Sequence, residues 1–185
     1  MMNTILALML LTQVETPAAQ ESSGAGAARI LVVYYSRSGN TEKMARAVAE
    51  GAEGVAGATV EVRKVADTKP EDLLNADAIV MGSPVYYGGM AAELKKLIDD
   101  SVKFHKKLDG KVGAAFASSG AEHGGNESTI LDILNALLIH GMIVHGDPLG
   151  DHYGPVAVGA PDERSKKSCL RLGQRVAELA VRLFN

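Results

Sequence analysis

From residue 28 onward, short apolar runs alternate with longer stretches whose apolar positions recur every three or four residues. Residues 30–35 (Ile-Leu-Val-Val-Tyr-Tyr) are an unbroken apolar run, the pattern of a strand covered on both faces. A helix is predicted over 42–51, with Met44, Val48 and Ala52 at the spacing of one face. Residues 59–65 alternate apolar and polar, which predicts a strand wet on one side and puts it at a sheet edge. Pro70 opens a short connecting helix over 69–74, and 76–81 is a buried third strand. The spacing of Leu94, Leu97, Ile98 and Val102 predicts a helix over 91–104 with those residues inward. A fourth strand is expected over 111–117, followed by a helix over 127–140 with Ile130, Leu134, Leu137 and Leu138 on its apolar side and Gly141 as its C-cap. Residues 142–146 then read as a fifth strand, 147–161 as a loop, and 162–184 as a closing helix with Leu172, Val176, Leu179 and Leu183 as its buried stripe.

Strands alternating with helices predict an α/β fold, a doubly wound five-stranded parallel sheet with helices on both faces. Right-handed crossovers, and an edge position for the second strand, select the order 2-1-3-4-5. Ligands of such sheets bind beyond the carboxyl ends of the strands, where the strand order switches. Three loops fall at those ends. In the first, Ser36-Arg37-Ser38-Gly39-Asn40-Thr41, the hydroxyls of Ser36, Ser38 and Thr41 join the free N–H groups and positive end of the following helix, while Gly39 and Asn40 tolerate a tight cradle. That donor set suits a phosphate, with Arg37 facing water. The turn lacks the Gly-Lys-Ser/Thr of a nucleotide triphosphatase and the three spaced glycines of a dinucleotide fold. A phosphatase nucleophile is also missing, because the one cysteine, Cys169, is far away. A monophosphate held as ligand remains, beside the plain alternative of a polar turn that caps a helix.

The second loop is Pro84-Val85-Tyr86-Tyr87-Gly88-Gly89 and the third is Ser118-Ser119-Gly120-Ala121-Glu122-His123-Gly124. Their glycines let backbone approach a flat ring, and Tyr86 or Tyr87 offers a face to stack on it, so a heteroaromatic ring bearing a phosphate suits all three loops. Ordinary packing is the alternative for the tyrosines, and a flexible loop for the glycines. The five histidines show no metal-ligand spacing, so no metal site is expected. His140 suits the negative end of its helix, Cys169 reads as packing, and Lys166, Lys167 and Arg171 as a solvated face.

With 185 residues, 46% of them hydrophobic, and a net charge of −3, the chain is expected to form one domain over 29–185, without the clustered cations that nucleic acid requires. A single cysteine allows no internal disulfide. Residues 1–28 stand apart as a leader: the apolar run 5–11 is too short to span a bilayer, so no stable membrane insertion is expected. Small residues at 16–20 suggest cleavage of a signal peptide after Ala18 or Ala19, although no Lys or Arg precedes the run. Export to the periplasm is favoured over a cytoplasmic tail.

Four segments carry a resemblance: Gly-Ser-Pro-Val-Tyr-Tyr-Gly-Gly-Met at 82–90, Ser-Ser-Gly-Ala-Glu-His-Gly-Gly-Asn-Glu at 118–127, Leu-Leu-Ile-His-Gly-Met-Ile-Val at 137–144 and His-Tyr-Gly-Pro at 152–155. Over 29–185 the chain resembles the NAD(P)H:quinone oxidoreductases of the WrbA type within the flavodoxin-like group. The resemblance implies non-covalent FMN, NAD(P)H as co-substrate, a quinone acceptor and a homo-oligomer, dimer or tetramer, whose neighbouring subunits complete the site. It implies that Ser36 to Thr41 hold the phosphate, Pro84 to Gly89 the isoalloxazine, and Ser118 to Gly124 the pyrimidine side and ribityl chain, with His140 joining the site. No side chain is expected to be catalytic, since the cofactor carries the chemistry. Two departures stand out: Ser38 occupies a position often aromatic in the family, and the tryptophan that commonly follows the third helix is missing where 101–108 looks shortened. The alternative is a flavodoxin-type one-electron carrier that binds FMN without turning over NAD(P)H.

Overall fold

Strand β1 (Ala28–Tyr34) runs between two apolar cores and supplies both, because successive side chains of a strand point to opposite faces. Ile30 and Val32 pack with Met44, Val48 and Val176 on one side, and Leu31 and Val33 with Ile79, Leu94 and Leu97 on the other. The computed structural model describes residues 26–185, so the expected leader lies, up to residue 25, outside the described residues. Helices α1 (Asn40–Glu53) and α5 (Glu163–Phe184) cover the first face. The short α2 (Asp72–Asn75), with α3 (Ala92–Asp100) and α4 (Asn126–Ile139), covers the second. Each fully buried aliphatic side chain, such as Ile79 or Leu94, contributes about 1.5–3 kcal/mol.

The remaining strands are β2 (Ala58–Lys64), β3 (Ala78–Pro84), β4 (Val112–Ser119), β5 (Ile143–Val144) and β6 (Val156–Val158). They pair in the order β2-β1-β3-β4-β5, every pairing parallel, with β2 at the edge as the alternation predicts. The fifth position differs from expectation. Instead of one strand over 142–146, β5 pairs only with Val112 and Gly113, the chain leaves the sheet, and β6 returns to pair with Ala117 to Ser119. The excursion is tied to α5: Asp147 accepts from Arg171 (2.5 and 3.0 Å), and Asp151 from Arg164 (2.9 and 3.0 Å).

Helix faces also depart from the spacing in places. Ser101–Phe104 tightens into a 3-10 turn, where three residues rather than 3.6 complete a turn, and Val102 rotates outward to 69% exposure. Leu138, expected inward, is 55% exposed while Leu134 and Leu137 are buried. On α5 the buried stripe is Cys169, Gly173, Val176, Ala177 and Ala180; Leu172 and Leu179 are half-buried and Leu183 is exposed. Small residues win there because α1 and α5 touch backbone to backbone: a Cβ on Gly173 would lie 1.8 Å from the Val48 carbonyl oxygen, and one on Gly51 1.9 Å from that of Leu170. Gly141 ends α4 as predicted, donating to Leu138 O (2.9 Å) while Met142 donates to Leu137 O (3.2 Å).

Candidate functional site

The three loops meet beyond β1, β3 and β4, and hydrogen bonds between them fix their relative positions. Ser118, the penultimate residue of β4, is the junction: its hydroxyl shares a 2.8 Å bond with Thr41 Oγ1, and its carbonyl accepts from the Val85 N–H at 2.7 Å. Ser128 on α4 donates to the Gly88 carbonyl at 2.9 Å, which moors the second loop to the helix that follows the third.

In the first loop Gly39 is the N-cap of α1 with φ 86°, a left-handed conformation that a side chain strains to adopt, and it offers no side chain to cap the helix. The first-turn N–H groups of α1 are therefore left to a ligand or to water. Ser36 accepts from the Gly39 N–H at 3.1 Å, which closes the turn and keeps its own proton free to donate. Ser38 and Arg37 are exposed. Thr41 is almost wholly buried, so its hydroxyl joins loop to strand and the cradle's outward donors are Ser36, Ser38 and the backbone. Glu42, in the first turn of α1, has its carboxyl held below the usual range by the Arg46 guanidinium 2.7 Å away.

The second loop carries a two-residue reverse turn: Tyr86 N–H donates to Gly89 O (2.9 Å), Gly89 N–H to Tyr86 O (3.2 Å), and both Tyr87 (φ 50°) and Gly88 (φ 82°) are left-handed. Tyr87 stands fully exposed at the tip at a backbone cost of about 1–2 kcal/mol. Tyr86 packs edge-on against Tyr35, ring centres 6.1 Å apart. In the third loop Ser119 donates to Ala121 O (2.7 Å) and accepts from Asn126 Nδ2 (2.9 Å); Gly120 to Gly124 are exposed and His123 is left-handed (φ 57°). Gly125, at φ 105°, begins α4 without a side-chain cap, as Gly39 begins α1.

Beside these loops an open groove of about 950 Å³ runs between α3 and α4, lined by Tyr35, Arg37, Tyr86, Met90, Glu93 and Asp132 among others. Glu93 pushes the Tyr35 hydroxyl pKa above its ordinary value. Tyr35, Glu93, Asp132 and the tether Ser128 are absent from the sequence-derived site. Only Tyr35 gave a signal, as the last aromatic of the first apolar run; the others lie on helices whose placement over the loops is tertiary.

The structure thus brings together 36–41, 84–89 and 118–124, and leaves His140 apart within one chain. His140 caps the far end of α4, whose 14 residues span about 20 Å, with Nε2 2.9 Å from Ser101 Oγ. The Ser101 proton goes to Ile98 O (2.6 Å), so Nε2 is the donor and Nδ1 the bare acceptor. Burial, and secondarily His105, pushes the His140 pKa down.

Residues 31–138 match the family model described as a flavodoxin domain. A protein of Archaeoglobus fulgidus named NAD(P)H dehydrogenase (quinone) is 39% identical over 84% of this chain and 99% of its own. A protein of Aquifex aeolicus named flavodoxin is 41% identical over 81% of this chain and 85% of its own. Among solved structures, a flavodoxin described as WrbA-like, from Agrobacterium tumefaciens, superposes with a TM-score of 0.72 at 32% identity, covering 86% of this chain and all of that one. Strand order, loop placement and these relatives agree: the chain belongs to the flavodoxin domain family, in its WrbA-like group.

Proposed function

We propose that the protein binds FMN non-covalently at the three strand-end loops and acts as an NAD(P)H:quinone oxidoreductase. One observation carries this reading: three loops of suitable donor chemistry are cross-bonded through Ser118, around two glycine-started, uncapped helices. Ser36, Ser38 and the first-turn N–H groups of α1 would hold the phosphate, exposed backbone of 120–124 would meet the pyrimidine edge, and Tyr86 and Tyr87 would wall the ring. The bound cofactor would supply the redox chemistry, two electrons from NAD(P)H to a quinone. No side chain need act as nucleophile, and any role for His140 in the same site would come from a neighbouring copy. The names of the Archaeoglobus relative and of others at 35–37% identity support this activity.

The test is a titration with FMN followed by NADH, NADPH and benzoquinone. Saturable yellow binding with quinone-dependent oxidation of either nicotinamide is the expected result, and no uptake of FMN overturns the reading. The Aquifex relative's name supports a second reading, a flavodoxin-type electron carrier. FMN uptake without oxidation of either nicotinamide would select it.

A further inference from the structure

Three side-chain atoms among the described residues are buried without a hydrogen-bond partner, and two of them, Asn126 Oδ1 and Thr129 Oγ1, lie one turn apart at the head of α4. Thr129 is fully buried. A helical threonine ordinarily spends its hydroxyl on the carbonyl four residues back. Here that carbonyl is Gly125, whose oxygen accepts the Thr129 N–H (3.0 Å) but lies out of hydrogen-bond reach of the Thr129 hydroxyl. Asn126 is fixed from the other side. Because Ser119 gives its proton to Ala121 O, it can only accept from Asn126, so Nδ2 faces Ser119 and Oδ1 is the atom left buried.

Residues three apart on a helix hold their Cβ atoms about 5–6 Å apart, the span of two hydrogen bonds through one water. Leaving a buried polar atom unpaired costs more than immobilising one water, so one water serving two such atoms is favourable. We propose that a single internal water bridges Thr129 Oγ1 and Asn126 Oδ1, and that through Asn126 and Ser119 it holds the root of the 118–124 loop. The water accepts the Thr129 proton and donates one of its own to Oδ1, which locks the Asn126 amide with Nδ2 toward Ser119. Asn126 and Thr129 are thereby positioning residues for the loop. The consequence for flavin rests on the function proposed above; the water does not.

Crystal structures at a resolution that shows ordered water, for the wild type, Thr129→Ser and Thr129→Val, test the proposal together with amide hydrogen exchange across 119–125. The expected result is one water within hydrogen-bond distance of both atoms in the wild type and the Ser variant. The Val variant should lose it and exchange the loop amides at least 10-fold faster, with FMN bound roughly 5- to 10-fold more weakly. A dry site in the wild type, or loop exchange unchanged in the Val variant, overturns the proposal. Should the Val variant fail to fold, Thr129→Ala takes its place, and the wild-type map still decides whether the water exists. A wild type that takes up no FMN refutes the cofactor reading alone, leaving the water and exchange results to stand by themselves.

Discussion

Helices α1 and α4 begin differently from α5. At the head of α5, Asp162 accepts the Ser165 N–H at 2.8 Å and the Ser165 hydroxyl at 2.6 Å, so that helix carries its own anion at its positive end. At the heads of α1 and α4, left-handed Gly39 and Gly125 offer no side chain, and Thr41 in the first turn of α1 is bonded to Ser118 near the end of β4, the strand that leads to α4. One helix start has been completed for stability. The other two, with glycine at the cap, forgo roughly a few tenths of a kcal/mol each and keep their N–H groups available beside the loops. The difference teaches that the two helices that start on a left-handed glycine are the ones that open onto the candidate site, whereas the helix away from it starts on a carboxylate.

The most disruptive way to break that contrast is to give α1 the cap that α5 has. Gly39→Asp, a residue that tolerates the left-handed region, would place a carboxylate where a phosphate is proposed; FMN affinity should fall at least 100-fold, about 3 kcal/mol, with little change in melting temperature. Equal affinity in a flavin titration would remove the phosphate from that turn. Next in size, Thr41→Val leaves Ser118 without its 2.8 Å partner and should lower unfolding free energy by about 1–3 kcal/mol, measured in urea. Asp162→Ala should cost about 1 kcal/mol of stability and leave FMN affinity untouched, the mirror image of the first substitution. A loss of flavin binding in this variant would erase the distinction between the two kinds of helix start.

The smallest effect concerns the other acid that anchors to α5. Arg171 beside Asp147 holds its carboxyl down to about 2. A depressed carboxylate stabilises the fold above its unfolded pKa, near 4, and that contribution is lost as pH falls toward 2. Unfolding followed between pH 5 and 2 should therefore steepen in the wild type relative to Arg171→Ala. His140 works in a separate window: burial favours its neutral form, so stability should decline as pH drops below the ordinary histidine value of about 6.5. A pH profile that is flat through that range would contradict the buried tautomer.

Much of the architecture was legible along the chain because β1 is apolar on both faces and β2 on one, which fixes a central strand, an edge strand and hence the order of the sheet. The three loops were legible because hydroxyls, glycines and tyrosines cluster where apolar runs stop. Less was legible where a residue's role depends on what lies across from it. Val156-Ala157-Val158 is too short to announce a strand, and becomes one because β4 extends beyond β5 and leaves its far end open for pairing. Thr41 belongs by sequence to a phosphate turn, yet its hydroxyl is spent on Ser118, 77 residues away.

By itself the sequence determined the periodicities, and with them the element order, the parallel sheet and the places where chemistry could gather. Those depend on neighbours in the chain, whose spacing is set by 3.6-residue and two-residue repeats. Tertiary structure alone decided that β5 is split, that α5 meets α1 through Gly173 and small residues rather than leucines, that His140 lies a helix length from the loops, and that Ser118 ties the loops together. Each of these is settled by contacts between distant segments, where close packing and the need to satisfy buried polar groups outweigh local preference.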